Sequence, residues 1–263
     1  MIENKTAKPQ NCYILQAYGR MSCGFIYAVR YLESKKVYPY RKMIGKGGTV
    51  LFNFDWDSLL YRIIAFVIAF SIHEWAHAFV AYKLGDNTAK NEGRLTLNPI
   101  SHVEPIGMLM ILFGPFGWAR PVPVNMFHFR GNRRLGMVLV AIAGPLTNLI
   151  LAFLFLQAGW YLATTNIMNA WPAWAATLVS NTITWSFAIN VALFVFNLLP
   201  VAPLDGSKIF RYILPRRFDH FFERMEPYGM FVLLLLIFIP GLGSIVLYQP
   251  YEWVQNALFS LIR

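Results

Sequence analysis

One stretch constrains the fold of this chain more than any other. Residues 63–82 are 20 consecutive residues whose only ionisable side chains are His73, Glu74 and His77. About 20 apolar residues are enough for an α-helix to cross the hydrocarbon core of a bilayer. The sequence therefore predicts a transmembrane helix with three ionisable groups inside the membrane, where such groups usually mark a functional site.

The spacing of these groups indicates a metal site. His77 follows His73 by four positions, so both imidazoles project from one face of a helix, about one turn apart. Two such histidines can bind one zinc ion, and in a His-Glu-x-x-His pattern the glutamate is the general base toward a water activated by the metal. The alternative is a pair of histidines that hydrogen-bond to neighbouring helices, which gives no reason for Glu74.

A catalytic zinc ion needs a third protein ligand, and Asp205 is the candidate. It follows an apolar run at residues 179–199, beyond which Pro200 and Pro203 stop regular helix. At 1.5 Å per residue, His77 lies about 9 Å and His73 about 15 Å from Lys83 at the helix end. Because Asp205 comes just after the end of the apolar run at 179–199, its carboxylate is expected at a depth similar to that of the histidines. The alternative is a carboxylate in solvent.

The distribution of charge describes a multi-pass membrane protein. The chain is 57% hydrophobic and 14% charged, and its net charge is +10. Residues 1–50 carry nine Lys and Arg against two Glu, a net +7, and the rest of the chain carries 14 against 11, a net +3. Basic cytoplasmic loops explain this remainder, so no nucleic-acid partner is predicted.

The loops suggest a topology. Basic residues occur in the loops at 83–94, 120–134 and 208–224, whereas residues 161–177 carry no charge. By the positive-inside rule the basic loops are cytoplasmic. We expect spans at 63–82, 135–160 and 179–199, an interrupted one at 230–247, and an amphipathic helix at 251–262. The protein is then an integral protein of a bacterial plasma membrane, with its site nearer the cytoplasmic side.

The run at 135–160 contains the small-residue stretch Ala143-Gly144-Pro145-Leu146-Thr147-Asn148. Small residues let helices approach closely, and Asn148 can hydrogen-bond across the interface. By itself this pattern is more typical of helix packing than of chemistry.

The region between the first two core helices is predicted to be irregular. Residues 106–118 hold too short an apolar core to span a bilayer and are broken by Gly114 and Pro115, which favours a re-entrant segment lining a cavity. Residues 119–124 alternate like an extended edge, where proline is tolerated. We therefore expect a re-entrant or β-hairpin element here, whose edge can pair with an unwound peptide.

The first 50 residues differ from the remainder. They hold both cysteines, Cys12 and Cys23, and no apolar run of 20 residues. A disordered tail, a small accessory segment and a start assigned too early are three open interpretations of residues 1–50. Residues 51–263 then form the membrane domain.

Five ordered motifs within residues 59–224 resemble the site-2 protease family of intramembrane zinc metalloproteases. Together they are far more specific than the histidine pair alone. They are His73-Glu74-Trp75-Ala76-His77, Gly93-Arg94-Leu95-Thr96-Leu97-Asn98-Pro99, His102-Val103-Glu104-Pro105-Ile106-Gly107, Gly144-Pro145-Leu146-Thr147-Asn148, and the stretch from Asn197 to Asp205-Gly206. Glu104 stands where relatives commonly have Asp.

The resemblance implies an all-α transmembrane bundle with one Zn2+ per chain, bound by His73, His77 and Asp205. It also implies that Glu74 is the general base and that Asn197 lies near the scissile carbonyl. The implied substrates are transmembrane proteins that unwind locally, with membrane-tethered regulators and signal-anchor remnants as candidates.

Two other functions remain open at this point. A catalytically inactive scaffold of the same fold is the first, and the intact histidines and carboxylates speak against it. A metal transporter is the second, but it needs polar residues at successive depths, whereas here they cluster at one level.

Overall fold

The computed structural model describes residues 56–102, 104, 107, 120–165, 167–239 and 241–262. Within these ranges the regular structure is helical and no strand occurs. In chain order the α-helices of the described ranges are α1 (Trp56–Lys83), α2 (Thr88–Asn91), α3 (Arg133–Thr165), α4 (Ala173–Asn197), α5 (Asp205–Ile213), α6 (Asp219–Met225), α7 (Gly229–Phe238) and α8 (Gln249–Ser260).

Helices α1, α3 and α4 form the framework. Each is long and apolar enough to cross a membrane, and the three pack against one another. Helix α1 contains neither Gly nor Pro, so its hydrogen-bond ladder is uninterrupted. Its small buried residues Ala65, Ala69 and Ala76 allow neighbouring helices to approach closely. The predicted spans at 63–82, 135–160 and 179–199 are thus confirmed as helices, with α4 beginning six residues earlier than expected.

The C-terminal region consists of an interrupted apolar run and a helix that packs on α3 and α4. Helix α7 has 10 residues, too few to cross a bilayer, and Gly241 beyond it has a φ of +88°, so the predicted interruption of the run at 230–247 is confirmed. Helix α8 buries Tyr251, Val254 and Leu258 against the apolar cluster of α3 and α4. The amphipathic helix predicted at 251–262 therefore uses its apolar face to pack on the bundle.

The Arg134 side chain holds α5 and α6 against the start of α3. The Arg134 guanidinium donates to both carboxylate oxygens of Asp219, at 2.6 and 2.9 Å. It also donates to the carbonyls of Arg211 and Leu214, each at 2.8 Å. Bidentate arginine pairs fix orientation as well as distance, so this contact sets where α5, and Asp205 at its start, lies relative to α3.

Two of the sequence predictions concern segments that lie wholly or mostly outside the described residues. The extension at residues 1–50 and most of the re-entrant segment, residues 108–119, lie outside the described residues. Residues 120–125 are described and belong to no helix or strand. A β-hairpin is therefore not seen in the described part of the chain.

Candidate metal centre

Three side chains from two helices meet at one point in the bundle. His73 and His77 lie on α1, and Asp205 is the first residue of α5. The Asp205 Oδ2 atom lies 3.2 Å from the Nε2 atom of each histidine, and the two Nε2 atoms are 3.0 Å apart. All three side chains are buried. We call His73, His77 and Asp205 the metal triad.

The outer nitrogen of each imidazole is occupied by an oxygen acceptor. His73 donates from Nδ1 to the Asn148 side-chain oxygen at 2.5 Å, and His77 donates from Nδ1 to the Val140 carbonyl at 2.7 Å. A neutral imidazole carries one proton, so these two bonds leave the lone pair of each Nε2 atom pointing into the triad. This is the arrangement that a metal-ligating histidine adopts.

The donor set fits a zinc ion. In a tetrahedral site with ligand distances of about 2.0 Å, neighbouring ligand atoms are about 3.3 Å apart, close to the separations in the triad. The Asp205 carboxylate adds a negatively charged oxygen donor to the two imidazole nitrogens, and this combination of ligands complements a zinc cation. Three lone-pair donors this close repel one another unless a cation or a proton lies among them.

Space at the triad depends on Gly144 of α3. A Cβ atom added at this position would lie 2.5 Å from the His77 Nε2 atom and 2.6 Å from the His73 Nε2 atom. Any other residue would thus place its side chain against both donor nitrogens. Gly206, next to Asp205, has a comparable role, because a Cβ there would overlap the Leu199 carbonyl and push the start of α5 away from α4.

Glu74 is buried on the same turn of α1 but bonds to a different part of the chain. Its Oε2 atom accepts from the Val122 backbone N–H at 2.9 Å. This bond fixes one carboxylate oxygen, so Oε1 is the atom left to exchange a proton. The predicted general base therefore borders the irregular segment at residues 120–125, which we call the clamped segment.

Several other side chains hold the clamped segment. The buried Arg94 guanidinium donates to the carbonyls of Arg120 and Pro121, at 2.6 and 3.4 Å, and the Arg120 N–H donates to the His102 carbonyl at 2.9 Å. At the other end, the Asp86 carboxylate accepts from the Asn125 N–H at 2.7 Å. The segment has no helical hydrogen bonds of its own, so these side chains and carbonyls fix its position beside Glu74.

Asn197 is buried near the end of α4, and its amide donates to the Leu193 carbonyl one turn back at 3.0 Å. The metal triad is the group of metal-ligating type found among the described residues, and His102, His128 and His220 lie outside it. Sequence reasoning missed the contact of Asn148 with His73 and the steric role of Gly144. The small-residue pattern marked both positions, but it did not reveal which helix they face.

Comparison with known proteins agrees with this geometry. The model of a family described as Peptidase family M50 matches residues 61–240. The chain is 45% identical over 205 residues to the "Putative zinc metalloprotease YwhC" of Bacillus subtilis, covering 76% of this chain and 90% of that relative.

More distant relatives carry a similar description. The "Putative zinc metalloprotease Rip2" of Mycolicibacterium smegmatis is 26% identical over 186 residues, 69% of this chain and 68% of the relative. Rip2 of Mycobacterium tuberculosis H37Rv is 28% identical over 188 residues, again 69% of this chain and 68% of the relative. No solved structure matches the chain at a significant level.

Proposed function

Because this chain belongs to peptidase family M50, we propose that it is an intramembrane zinc metalloendopeptidase that cleaves peptide bonds in or near the transmembrane segments of other membrane proteins. The observation that carries the proposal is the metal triad on helices of a membrane-type bundle. His73 and His77 lie within a helix apolar enough to span a bilayer, and their donor nitrogens meet a buried carboxylate.

Each residue of the site has a role in peptide hydrolysis. When bound, zinc supplies Lewis acidity toward the peptide carbonyl and toward water. The metal triad holds the ion, and Glu74, anchored through Oε2 to Val122, takes a proton from the attacking water on Oε1. The same carboxyl can then give that proton to the departing amine.

Asn197 is proposed to stabilise the negative charge that develops on the scissile carbonyl oxygen. One of its two amide hydrogens is used by the Leu193 carbonyl, so the amide retains a second donor. A preoriented donor of this kind is worth about 100- to 1,000-fold in rate in other hydrolases.

The substrate is proposed to be an unwound segment of a single-span protein, such as a membrane-tethered regulator or a signal-anchor remnant. Hydrolysis requires an extended backbone next to Glu74, and the non-helical clamped segment borders Glu74 there. The basic loops support a site nearer the cytoplasmic face of a bacterial plasma membrane.

The test uses the purified full chain in liposomes with a panel of single-span model proteins, whose products are mapped by mass spectrometry. Wild type should cut within or beside the spans, lose activity on chelation and regain it with added zinc. Glu74→Gln should keep the metal but lose turnover, because its amide cannot accept the proton.

Several outcomes would contradict the proposal. Cleavage by Glu74→Gln would show that another group is the base, and cuts confined to loops far from the bilayer would exclude intramembrane hydrolysis. Zinc binding without cleavage of any panel member would favour the scaffold alternative, and zinc uptake into the liposomes would favour the transporter.

A further inference from the structure

A line of buried polar side chains extends from His73 into the bundle. The Asn148 Oδ1 atom on α3 accepts from the His73 Nδ1 atom, and the Asn148 amide nitrogen donates to the Asn190 Oδ1 atom on α4 at 2.9 Å. The Asn190 amide nitrogen donates in turn to the Ser186 backbone carbonyl at 2.8 Å. Asn148 and Asn190 are fully buried, with 0% of either exposed.

The direction of this line is set at its far end. The Ser186 carbonyl can only accept, so the atom of Asn190 that faces it must be the amide nitrogen. The Asn190 oxygen is then the atom that faces Asn148, and it requires the amide nitrogen of Asn148. The Asn148 oxygen therefore faces His73. It can only accept a hydrogen bond, so the His73 Nδ1 atom must carry the ring proton and donate it to this bond.

This direction matters at the metal triad. If the Asn148 amide were turned by 180°, its NH2 group would face the His73 Nδ1 atom, which would then have to accept. The ring proton would move to Nε2, the atom that faces His77 and Asp205. An Nε2–H group cannot ligate a metal, so the orientation of Asn148 decides whether His73 is a ligand.

We propose that Asn190 is a positioning residue for the metal centre. It holds the Asn148 amide in the one orientation that keeps the proton of His73 on Nδ1, and it thereby sets the zinc affinity although it does not contact the ligands of the triad. The inference rests on the proposed function only in taking zinc as the ion that the triad binds. Mutation of such outer partners typically costs 10- to 100-fold in metal affinity.

Three variants of the full chain separate this role from simple packing. Asn190→Leu removes both hydrogen bonds and keeps a branched side chain with the same number of heavy atoms. Asn190→Asp in its neutral acid form can still donate to the Ser186 carbonyl and accept from Asn148, and burial in an apolar bundle favours that form. Val191→Ala is the matched control, because Val191 is buried on the same helix but faces the apolar cluster.

The first measurement is the zinc dissociation constant of each protein in detergent, by competition with a chelator. Asn190→Leu should bind zinc about 10- to 100-fold more weakly than wild type, whereas Asn190→Asp and Val191→Ala should stay within about threefold. Wild-type affinity in Asn190→Leu would overturn the inference. An equal loss in Val191→Ala would overturn it as well, since loosened packing would then be the cause.

The second measurement does not depend on a variant that folds. The 15N chemical shifts of the His73 ring, recorded on metal-free wild type at a pH where the ring is neutral, report its tautomer. The inference expects a protonated Nδ1 atom and is overturned by a protonated Nε2 atom. Wild type that binds zinc but cleaves nothing contradicts the proposed function alone, whereas wild-type zinc affinity in Asn190→Leu contradicts this inference alone.

Discussion

Two groups of contacts meet on one turn of α1, and they differ in kind. On the metal side, His73 and His77 each use one nitrogen for one partner on α3 and the other for the triad. On the neighbouring side, Glu74 bonds to the clamped segment. Arg94, the His102 carbonyl and Asp86 also bond to this segment.

The difference follows from the backbone on each side. Regular helices satisfy their own N–H and C=O groups and fix the direction of every side chain. Each histidine of the triad therefore needs only one hydrogen-bond partner on α3, and no second residue can replace that partner. The clamped segment lacks internal hydrogen bonds, so several side chains share the task. Single substitutions should therefore abolish metal binding on the first side and weaken activity in steps on the second.

The largest effect is expected for Gly144→Ala. The added methyl group would lie about 2.5 Å from both donor nitrogens of α1, closer than van der Waals contact allows. We expect loss of bound zinc and of turnover with the helix content unchanged, measured by elemental analysis and circular dichroism. Gly159→Ala is the control on the same helix, since its Cβ would meet only the Ile183 side chain, at 3.3 Å. Full zinc content in Gly144→Ala would contradict the expectation that a single substitution on the metal side abolishes metal binding.

An intermediate effect is expected for Arg94→Met, which tests the other side. Hydrogen bonds from a charged donor are worth about 1.5–3 kcal/mol, and tenfold in rate corresponds to about 1.4 kcal/mol. Without the guanidinium at the Arg120 and Pro121 carbonyls, kcat/KM should fall about 10- to 100-fold while the zinc content stays at that of wild type. Loss of zinc in this variant would show that the two sides are not independent.

The smallest effect is expected for Asp86→Asn. Burial raises the pKa of the Asp86 carboxyl, but hydrogen bonds from Thr88, from the Asn125 N–H and from His128 outweigh it and hold the pKa below its ordinary value. A lowered pKa stabilises the fold above the unfolded value of about 3.9, and this contribution is lost as the pH falls further.

Thermal unfolding at several pH values tests this expectation. Asp86→Asn should cost about 1–2 kcal/mol at neutral pH, and its difference from wild type should shrink as the pH falls below about 4. Glu92→Gln, an exposed carboxylate of the same loop, should change stability by less than about 0.5 kcal/mol. A difference between Asp86→Asn and wild type that does not vary with pH would contradict the ionised state assigned to Asp86.

Part of this architecture was predictable because its signals are local. Helix periodicity placed His73 and His77 on one face, and the length of the apolar runs placed α1, α3 and α4. The β-hairpin is not seen in the described residues, among which residues 120–125 bond to side chains of Arg94, Glu74 and Asp86. Alternating residues suggest an extended backbone, but they do not say what satisfies its polar groups.

The sequence by itself determined that this chain has a helix long and apolar enough to cross a membrane, with two histidines and a glutamate in it, because hydrophobic length and a four-residue spacing are properties of a single helix. Only the tertiary structure decided that Asp205, 132 positions beyond His73, meets that pair, that Gly144 leaves room beside the two imidazoles, and that Asn148 connects His73 to Asn190. These are contacts between helices, and their geometry depends on how whole helices pack.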